Sequence, residues 1–361
     1  MEAHMSKIDL NNISHSYNPN VPNPVYALNP FSMTWENGKR YAILGPSGCG
    51  KTTMLNIVSG LVRPSAGSIL FDDKDVTDLK TESRNIAQVF QFPVIYNTMT
   101  VYENLAFPLK CRGFSKDKID ERVKSVADTL SLQSFLNSPA RKLTADQKQL
   151  ISLGRGLVRE DVAAVLMDEP LTVIDPDLKF RLRRKLKEIN EEFKTTLVYV
   201  THDQNEAMTF ADNIIVMSEG EVVQAGTPKE LFERPNTTFV GYFIGSPAMN
   251  LFETEVNSNN EVKINDTVIK ISTDLSTIKQ KKLKLGIRSE FIEIAKDQKE
   301  NLITATVEKV EDLGNYKLLT AKIGELVIKS KIKREIEVSS EKVELHIPHD
   351  KCCIYENERL I

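Results

Sequence analysis

The nine residues GPSGCGKTT, Gly45 to Thr53, constrain this chain more than any other stretch. They follow the apolar run Tyr41 to Leu44, a strand candidate, and open a helical run that ends near Gly60. A loop of the form Gly-x4-Gly-Lys-Thr between a strand and a helix closes its backbone amides around phosphate oxygens, and the helix N-terminus favours the negative charge. Lys51 neutralises that charge, and the Thr52 hydroxyl is placed to ligate Mg²⁺. Gly45, Pro46, Ser47, Gly48, Cys49, Gly50 and Thr53 complete the candidate ATP-binding loop, with Cys49 read as a tolerated small residue and not as a nucleophile.

Such a loop needs a strand-and-helix framework, and the chain supplies one. Short apolar runs alternate with helical patterns to about residue 235, the arrangement of an α/β domain. Strand candidates are Tyr41–Leu44, Ala87–Phe90, Val162–Met167, Thr196–Val200 and Ile214–Met217. Ligands gather at the carboxyl ends of strands in open α/β sheets, and two of these runs end in chemically capable residues, Asp168-Glu169 and Thr201-His202. Asp168 is expected in the outer shell of the metal, and Glu169 is expected to polarise the water that attacks the γ-phosphate. Adjacent side chains on an extended backbone point to opposite sides, so one carboxylate is structural unless the backbone turns at the strand end. His202, which closes TLVYVTH, is expected at the γ-phosphate, and Gln91, which closes AQVFQ, at both metal and attacking water. Tyr17 in HSYNPN either stacks on an adenine ring or packs as an ordinary aromatic.

With 361 residues the chain exceeds the usual size of a single core, and two domains are expected. The boundaries read as 5–240 for the α/β domain, with a helical insertion over 92–160, and 245–361 for a second domain. In the insertion, Ile119, Val123, Val126 and Leu130 share one helical face. After Gly245, short alternating strands broken by turns such as Asn257–Asn260 predict a small β-barrel-like domain. The opening MEAHMSK is given no fold meaning, with Met5 a candidate native start.

Composition narrows the partners. The 47 basic and 50 acidic residues give a net charge of -3, which does not suggest a surface built to bind nucleic acid. Four cysteines, two of them adjacent at Cys352-Cys353, form no secreted disulfide framework and suit a reducing cytoplasm. No apolar run approaches the roughly 18 residues of a membrane span, so any membrane role is peripheral. HIPHDKCC, His346 to Cys353, is a poor match to a tetrahedral zinc site and reads as a terminal strand and turn. The basic run Lys179 to Lys194 interleaves Leu182, Leu186 and Ile189 and reads as a solvated helix with one buried face.

In this order the residues resemble the nucleotide-binding subunits of ABC importers, in the class with a C-terminal regulatory β-domain that serves maltose and glycerol-phosphate uptake. The resemblance covers essentially the whole chain. It implies a P-loop ABC ATPase domain with a helical subdomain, followed by a small β-barrel of the OB or TOBE type. Tyr17 falls at the adenine-stacking aromatic, Gly45 to Thr53 at the Walker A loop and Gln91 at the Q-loop. Asp168-Glu169 falls at Walker B with its catalytic glutamate, His202 at the switch histidine, and Asp175 of TVID at the D-loop, which together with Thr144 to Gln147 would contact the nucleotide held by the partner subunit. Mg²⁺ ligation would involve Thr52, Gln91 and Asp168. ATP would bind between two such subunits on the cytoplasmic face of the membrane. The partners implied are integral membrane permease subunits, a second ATPase subunit and, indirectly, a periplasmic or extracellular solute-binding protein. Coupling to the permease would run near Gln91 to Lys110.

One loop departs from this pattern. Where the family reads Leu-Ser-Gly-Gly-Gln, this chain has Leu143-Thr144-Ala145-Asp146-Gln147. Signature glycines let backbone amides approach the γ-phosphate held by the opposite subunit, and any Cβ impedes that approach. An inward Asp146 about 5 Å from one phosphate charge, at an effective dielectric near 20, would cost roughly 3 kcal/mol. Thr144 and Gln147 also read as a capping box, with Asp146 favoured by the dipole of the first turn, and both readings hold together. An altered signature in both sites of a homodimer would weaken both, whereas a related subunit with an ordinary signature leaves one complete site. A heterodimer is therefore expected over a homodimer, and the chain resembles the paired ATPases of glycerol importers; the alternative reading is a catalytically weak nucleotide-binding regulatory subunit or a non-transport ABC ATPase.

Overall fold

Apolar runs without polar alternation form strands covered on both faces, and three of them here, RYAIL, AVLMD and TLVYVT, are buried almost throughout. The computed structural model describes residues 6–160, 162–172, 174–278, 280, 282–338 and 341–361. Met5 and Val173 of TVID lie outside the described residues. Two compact units divide the chain, Met1–Pro228 and Lys229–Ile361.

In the first unit, β1 (Ile8–His15), β2 (Leu28–Trp35), β4 (Ala66–Phe71) and β5 (Lys74–Asp75) make an antiparallel sheet in the order β2-β1-β4-β5. A six-stranded sheet has the order β10-β9-β3-β8-β7-β6. Its members are β3 (Arg40–Leu44), β6 (Ile86–Val89), β7 (Ala164–Asp168), β8 (Thr196–Thr201), β9 (Asn213–Ser218) and β10 (Glu221–Gly226). Strands β6, β7, β8, β3 and β9 run parallel, so their carboxyl ends lie along one edge. The sheet separates two cores: along β8, Leu197 and Tyr199 enter one while Val198 and Val200 enter the other.

All five strand candidates are present with small shifts at their ends. β6 runs one residue earlier than Ala87–Phe90, and β7 starts at Ala164 and takes in Asp168. Strands β1, β2, β4 and β5 have no counterpart among the candidates. β1 buries Ile8–Leu10 and Ile13–His15 around exposed Asn11 and a left-handed Asn12 (φ 48°), so its two-residue period is interrupted.

Over 92–160 the chain is helical, with α2 (Val101–Lys110), α3 (Lys116–Thr129) and α4 (Ala145–Leu157). Ile119, Val123, Val126 and Leu130 are all buried as one face, although Leu130 is the cap after α3 rather than part of it. Helix α1 (Lys51–Ser59) follows the loop and stops at Gly60, whose φ of 82° suits glycine. Helices α5 (Pro176–Phe193) and α6 (Gln204–Phe210) complete the unit, and Leu182, Leu186 and Ile189 of α5 are buried.

The second unit carries α7 (Pro228–Glu233), α8 (Thr238–Phe243) and two antiparallel sheets around one core, a small barrel-like arrangement. One sheet, in the order β13-β12-β11-β14-β20-β21, comprises β11 (Asn250–Ser258), β12 (Glu261–Ile264), β13 (Thr267–Lys270), β14 (Lys282–Ile287), β20 (Cys353–Glu356) and β21 (Arg359–Leu360). The other, in the order β15-β19-β16-β17-β18, comprises β15 (Glu293–Ile294), β16 (Leu302–Asp312), β17 (Lys317–Ile323), β18 (Leu326–Ile332) and β19 (Lys342–His346). Phe252 and Leu285 of the first meet Ile303 and Leu319 of the second in that core. Arg288, with no exposed surface, donates from Nε to the Phe232 carbonyl at 2.9 Å and from Nη1 to the Gly241 carbonyl at 2.8 Å. Burial lowers its pKa to about 10.

Candidate active site

The loop after β3 is shaped by close backbone approach. A Cβ on Gly45 would stand 2.3 Å from the Met217 carbonyl oxygen, and one on Gly50 (φ 104°) 2.4 Å from that of Ala27. Lys51 is buried beneath the loop, and its Nζ donates to the carbonyls of Gly45 and Pro46, both at 2.8 Å. An ammonium has three protons, so one donor remains beyond these two bonds. Cys49 is buried, and burial pushes its thiol pKa up, the opposite of what a nucleophile needs.

Strands β7, β8 and β6 bring four further groups to the same edge, Asp168, Glu169, His202 and Gln91. Asp168, the last residue of β7, is buried and accepts a hydrogen bond from the Thr52 hydroxyl at 2.9 Å. Burial raises its pKa; the Thr52 bond opposes the rise, Glu169 adds to it and Lys51 opposes it. At Glu169 the backbone leaves the extended conformation for φ 44°, so the two adjacent carboxylates need not alternate and take different surroundings. The Glu169 carboxylate Oε2 lies 3.2 Å from His202 Nδ1 and accepts from Gln91 Nε2 at 3.4 Å. Gln149 of α4, fully buried, donates from one amide to the Phe90 carbonyl at 3.1 Å and the Pro170 carbonyl at 3.0 Å, joining the ends of β6 and β7.

A cavity of about 570 Å³ opens at this edge, with Asp168 and Gln149 outside its lining. Ser47, Gly48, Gly50, Lys51, Thr52 and Thr53 form its floor, and Gln91, Glu169 and His202 line it as well. Tyr17 stands in its wall, 61 % exposed, with its hydroxyl 3.1 Å from Thr53 Oγ1 and its ring edge-on to His15. Gly45 and Cys49 are buried behind the loop. Thr172 also lines the cavity, and its hydroxyl donates to the Glu169 carbonyl at 3.0 Å. It escaped the sequence reading; its place three residues after Glu169, in reach of a strand-end carboxylate, was the available signal.

The donors present fit Mg²⁺. The Thr52 hydroxyl, backed by the Asp168 carboxylate, and the Gln91 amide are hard ligands, and no group of three His, Cys, Asp or Glu side chains among the described residues forms a cage of its own. That suits an ion that keeps several waters and shares phosphate oxygens.

Thr144, Ala145, Asp146, Gln147 and Asp175 do not line this cavity. Thr144 caps α4: its hydroxyl accepts from the Gln147 amide N–H at 3.4 Å, and the Gln147 side chain accepts from the Thr144 N–H at 3.1 Å. Asp146 occupies the first turn and makes no ion pair among the described residues, with Lys148 or any other group. Asp175 caps α5, accepting from the Asp177 and Leu178 amides at 3.0 and 3.3 Å.

Comparison with known proteins agrees with this architecture. Residues 28–172 match the ABC transporter family, and residues 245–292 match the MalK OB fold domain. The trehalose/maltose import ATP-binding protein MalK of Thermococcus litoralis is 38 % identical over 343 residues, 90 % of this chain and 92 % of its own. The sn-glycerol-3-phosphate import ATP-binding protein UgpC of Escherichia coli is 37 % identical over 334 residues, 92 % and 93 % of the two chains. Among solved structures, cbiO1 from Clostridium perfringens, part of the ABC transporter complex cbiONQ, aligns with a TM-score of 0.57 at 28 % identity, covering 64 % of this chain and 92 % of that one. A dimeric ATP-binding cassette in a post-hydrolysis state, bound to ADP and Pi, aligns with a TM-score of 0.56 at 29 % identity over 61 % of this chain and 98 % of that one.

Proposed function

This chain belongs to the ATP-binding subunits of ABC importers, and from that premise we propose that it hydrolyses ATP to drive uptake of a small polyol or carbohydrate, as one half of an asymmetric ATPase pair. The observation that carries the ATPase reading is the convergence of Glu169, His202 and Gln91 on one cavity above the Lys51 loop. In this reading the amides of the loop from Ser47 to Thr53 and the remaining Lys51 donor hold the phosphates, and the Tyr17 ring stacks on the adenine. Thr52 and Gln91, with Asp168 behind them, would hold Mg²⁺, which would neutralise phosphate charge. Glu169 takes the proton of the attacking water, His202 donates to the γ-phosphate while holding Glu169, and Gln91 orients the water.

Support for pairing comes from the start of α4. The Thr144 hydroxyl and the Gln147 amide are already engaged with each other in the capping box, Ala145 and Asp146 carry side chains where glycine would leave amides open, and Asp146 has no ion-pair partner among the described residues. A partner subunit with an ordinary signature leaves this chain's own site complete. Domain limits of 5–240 and 245–361, the permease partners, the solute-binding protein and a peripheral place on the cytoplasmic face belong to the same reading. No helix among the described residues is long and apolar enough to cross a membrane. The polyol or carbohydrate assignment follows the names of the relatives; glycerol, glycerol phosphate and sugars are the candidates.

The test is Glu169→Gln in the assembled transporter. Turnover should fall by roughly 10²-fold or more while nucleotide binding to the isolated chain persists. Full turnover in that variant refutes the assignment of the site.

A further inference from the structure

The carboxylate of Glu206 takes no part in the reaction described above, yet it is buried and fully engaged. Its Oε2 accepts from the Tyr199 hydroxyl at 2.9 Å and the Thr201 hydroxyl at 2.8 Å. Its Oε1 lies 3.2 Å from Arg183 Nη1 and 4.0 Å from Lys179 Nζ. The two cations stand one and two turns into α5, the helix that Asp175 caps. Thr201 and Asp203 flank His202 in the chain: the Thr201 hydroxyl, donating to Glu206, accepts from the Asp203 amide at 3.0 Å. Asp203 then caps α6, accepting from the Asn205 amide at 2.7 Å and that of Glu206 at 3.4 Å. The His202 side chain, by contrast, is 59 % exposed and touches Glu169.

The residues on both sides of His202 are thus fixed through one carboxylate, and that carboxylate is gripped from the other side by α5. An ion pair with little access to water resists stretching, because parting the charges would leave a buried carboxylate short of a partner. A rigid helix displaced at its Asp175 end would carry Lys179 and Arg183 with it. The motion would reach Thr201, and through it the backbone of His202, by hydrogen bonds alone.

We propose that Glu206 is a positioning residue that couples the Asp175 end of α5 to the His202–Glu169 contact, so that engagement of the second ATPase subunit at Asp175 sets the geometry for hydrolysis. The proposal rests on the reading of His202 as the γ-phosphate contact. Glu206→Gln keeps the shape of the side chain but turns one acceptor into a donor facing donors, and removes the charge that holds Arg183.

The experiment measures kcat and KM for ATP in the assembled transporter for Glu206→Gln, Arg183→Met and the double variant, beside His202→Ala. The expected result is a kcat lower by on the order of tenfold in each single variant, with KM changed by less than about twofold. The double variant should be no worse than the poorer single one, since both break the same link. Nucleotide affinity of the isolated chain, measured with a fluorescent ATP analogue, should stay at the wild-type value. A purely structural role would lower the unfolding midpoint and leave kcat per nucleotide site unchanged. If Glu206→Gln does not fold, Arg183→Met, at a less buried position, carries the test. Wild-type kcat in the variants together with lost turnover in His202→Ala overturns the coupling and leaves the site reading standing. Retained turnover in His202→Ala overturns the premise itself.

Discussion

Substitution of glycine for Ala145 and Asp146 separates the two effects assigned to the start of α4. The capping box is made by Thr144 and Gln147, which stay in place, so the helix keeps the cap that contributes about 1 kcal/mol. Losing the Asp146 charge from the first turn costs about 0.3–1 kcal/mol, and glycine in place of alanine about 0.5–1 kcal/mol more. Against that small loss of stability stands the relief at the opposing nucleotide. If Asp146 faces the opposing phosphate at about 5 Å, removing its carboxylate at an effective dielectric near 20 recovers roughly 3 kcal/mol, a factor of roughly 100 per site. The two signs are measured separately. In a Glu169→Gln background, sedimentation of the purified chain with Mg²⁺ and ATP should show self-association strengthened by roughly 100-fold per site, while the thermal midpoint falls by a few degrees. Self-association changed by less than about threefold, with the helix intact, would refute the argument that the altered signature dictates asymmetric pairing.

Three further outcomes are expected. Tyr17→Ala should weaken nucleotide binding by roughly 10-fold or more, as stacking of about 1–3 kcal/mol is lost, whereas Tyr17→Phe should lose only the Thr53 contact; equal losses in fluorescence titrations would contradict stacking. Burial tends to raise the Asp212 carboxyl, but hydrogen bonds and charge from Arg40 outweigh it and hold it below the usual range, so its stabilisation is complete above the unfolded value near 3.9 and is lost as pH falls through the folded one. Arg40→Met should therefore raise the midpoint of acid unfolding, followed by circular dichroism. Arg288→Met removes the side-chain donor from the carbonyls of Phe232, Gly241 and Ile244, of which Gly241 keeps the Met249 amide, and should destabilise the second unit by about 3 kcal/mol or more, read by calorimetry.

What was legible in the sequence was legible for local reasons. GPSGCGKTT requires only its neighbours in the chain to be recognised, because a tight turn, a lysine and a helix start lie within nine residues. The five strands of the parallel sheet were visible because burial on both faces leaves unbroken apolar runs. The face of α3 was visible because a helix repeats its contacts every few residues. β1 and its partners were not, since Asn11 and Asn12 break the alternation and the pairing is made with residues far along the chain.

The chemistry divides in the same way. Sequence alone determined which residue types were available: two adjacent carboxylates, one histidine at a strand end, and a signature loop with an acid in place of glycine. It left open whether Asp168 and Glu169 share a role, and the structure separates them through a left-handed φ at Glu169 that turns one toward Thr52 and the other toward His202. The engagement of Glu206 with Tyr199, Thr201 and Arg183 was likewise beyond local reading, because its partners come from a strand and a helix that only packing brings together. A side chain's chemistry is written in its own atoms, but its charge state, its partners and its direction are set by groups distant in sequence, and those are decided only when the chain closes on itself.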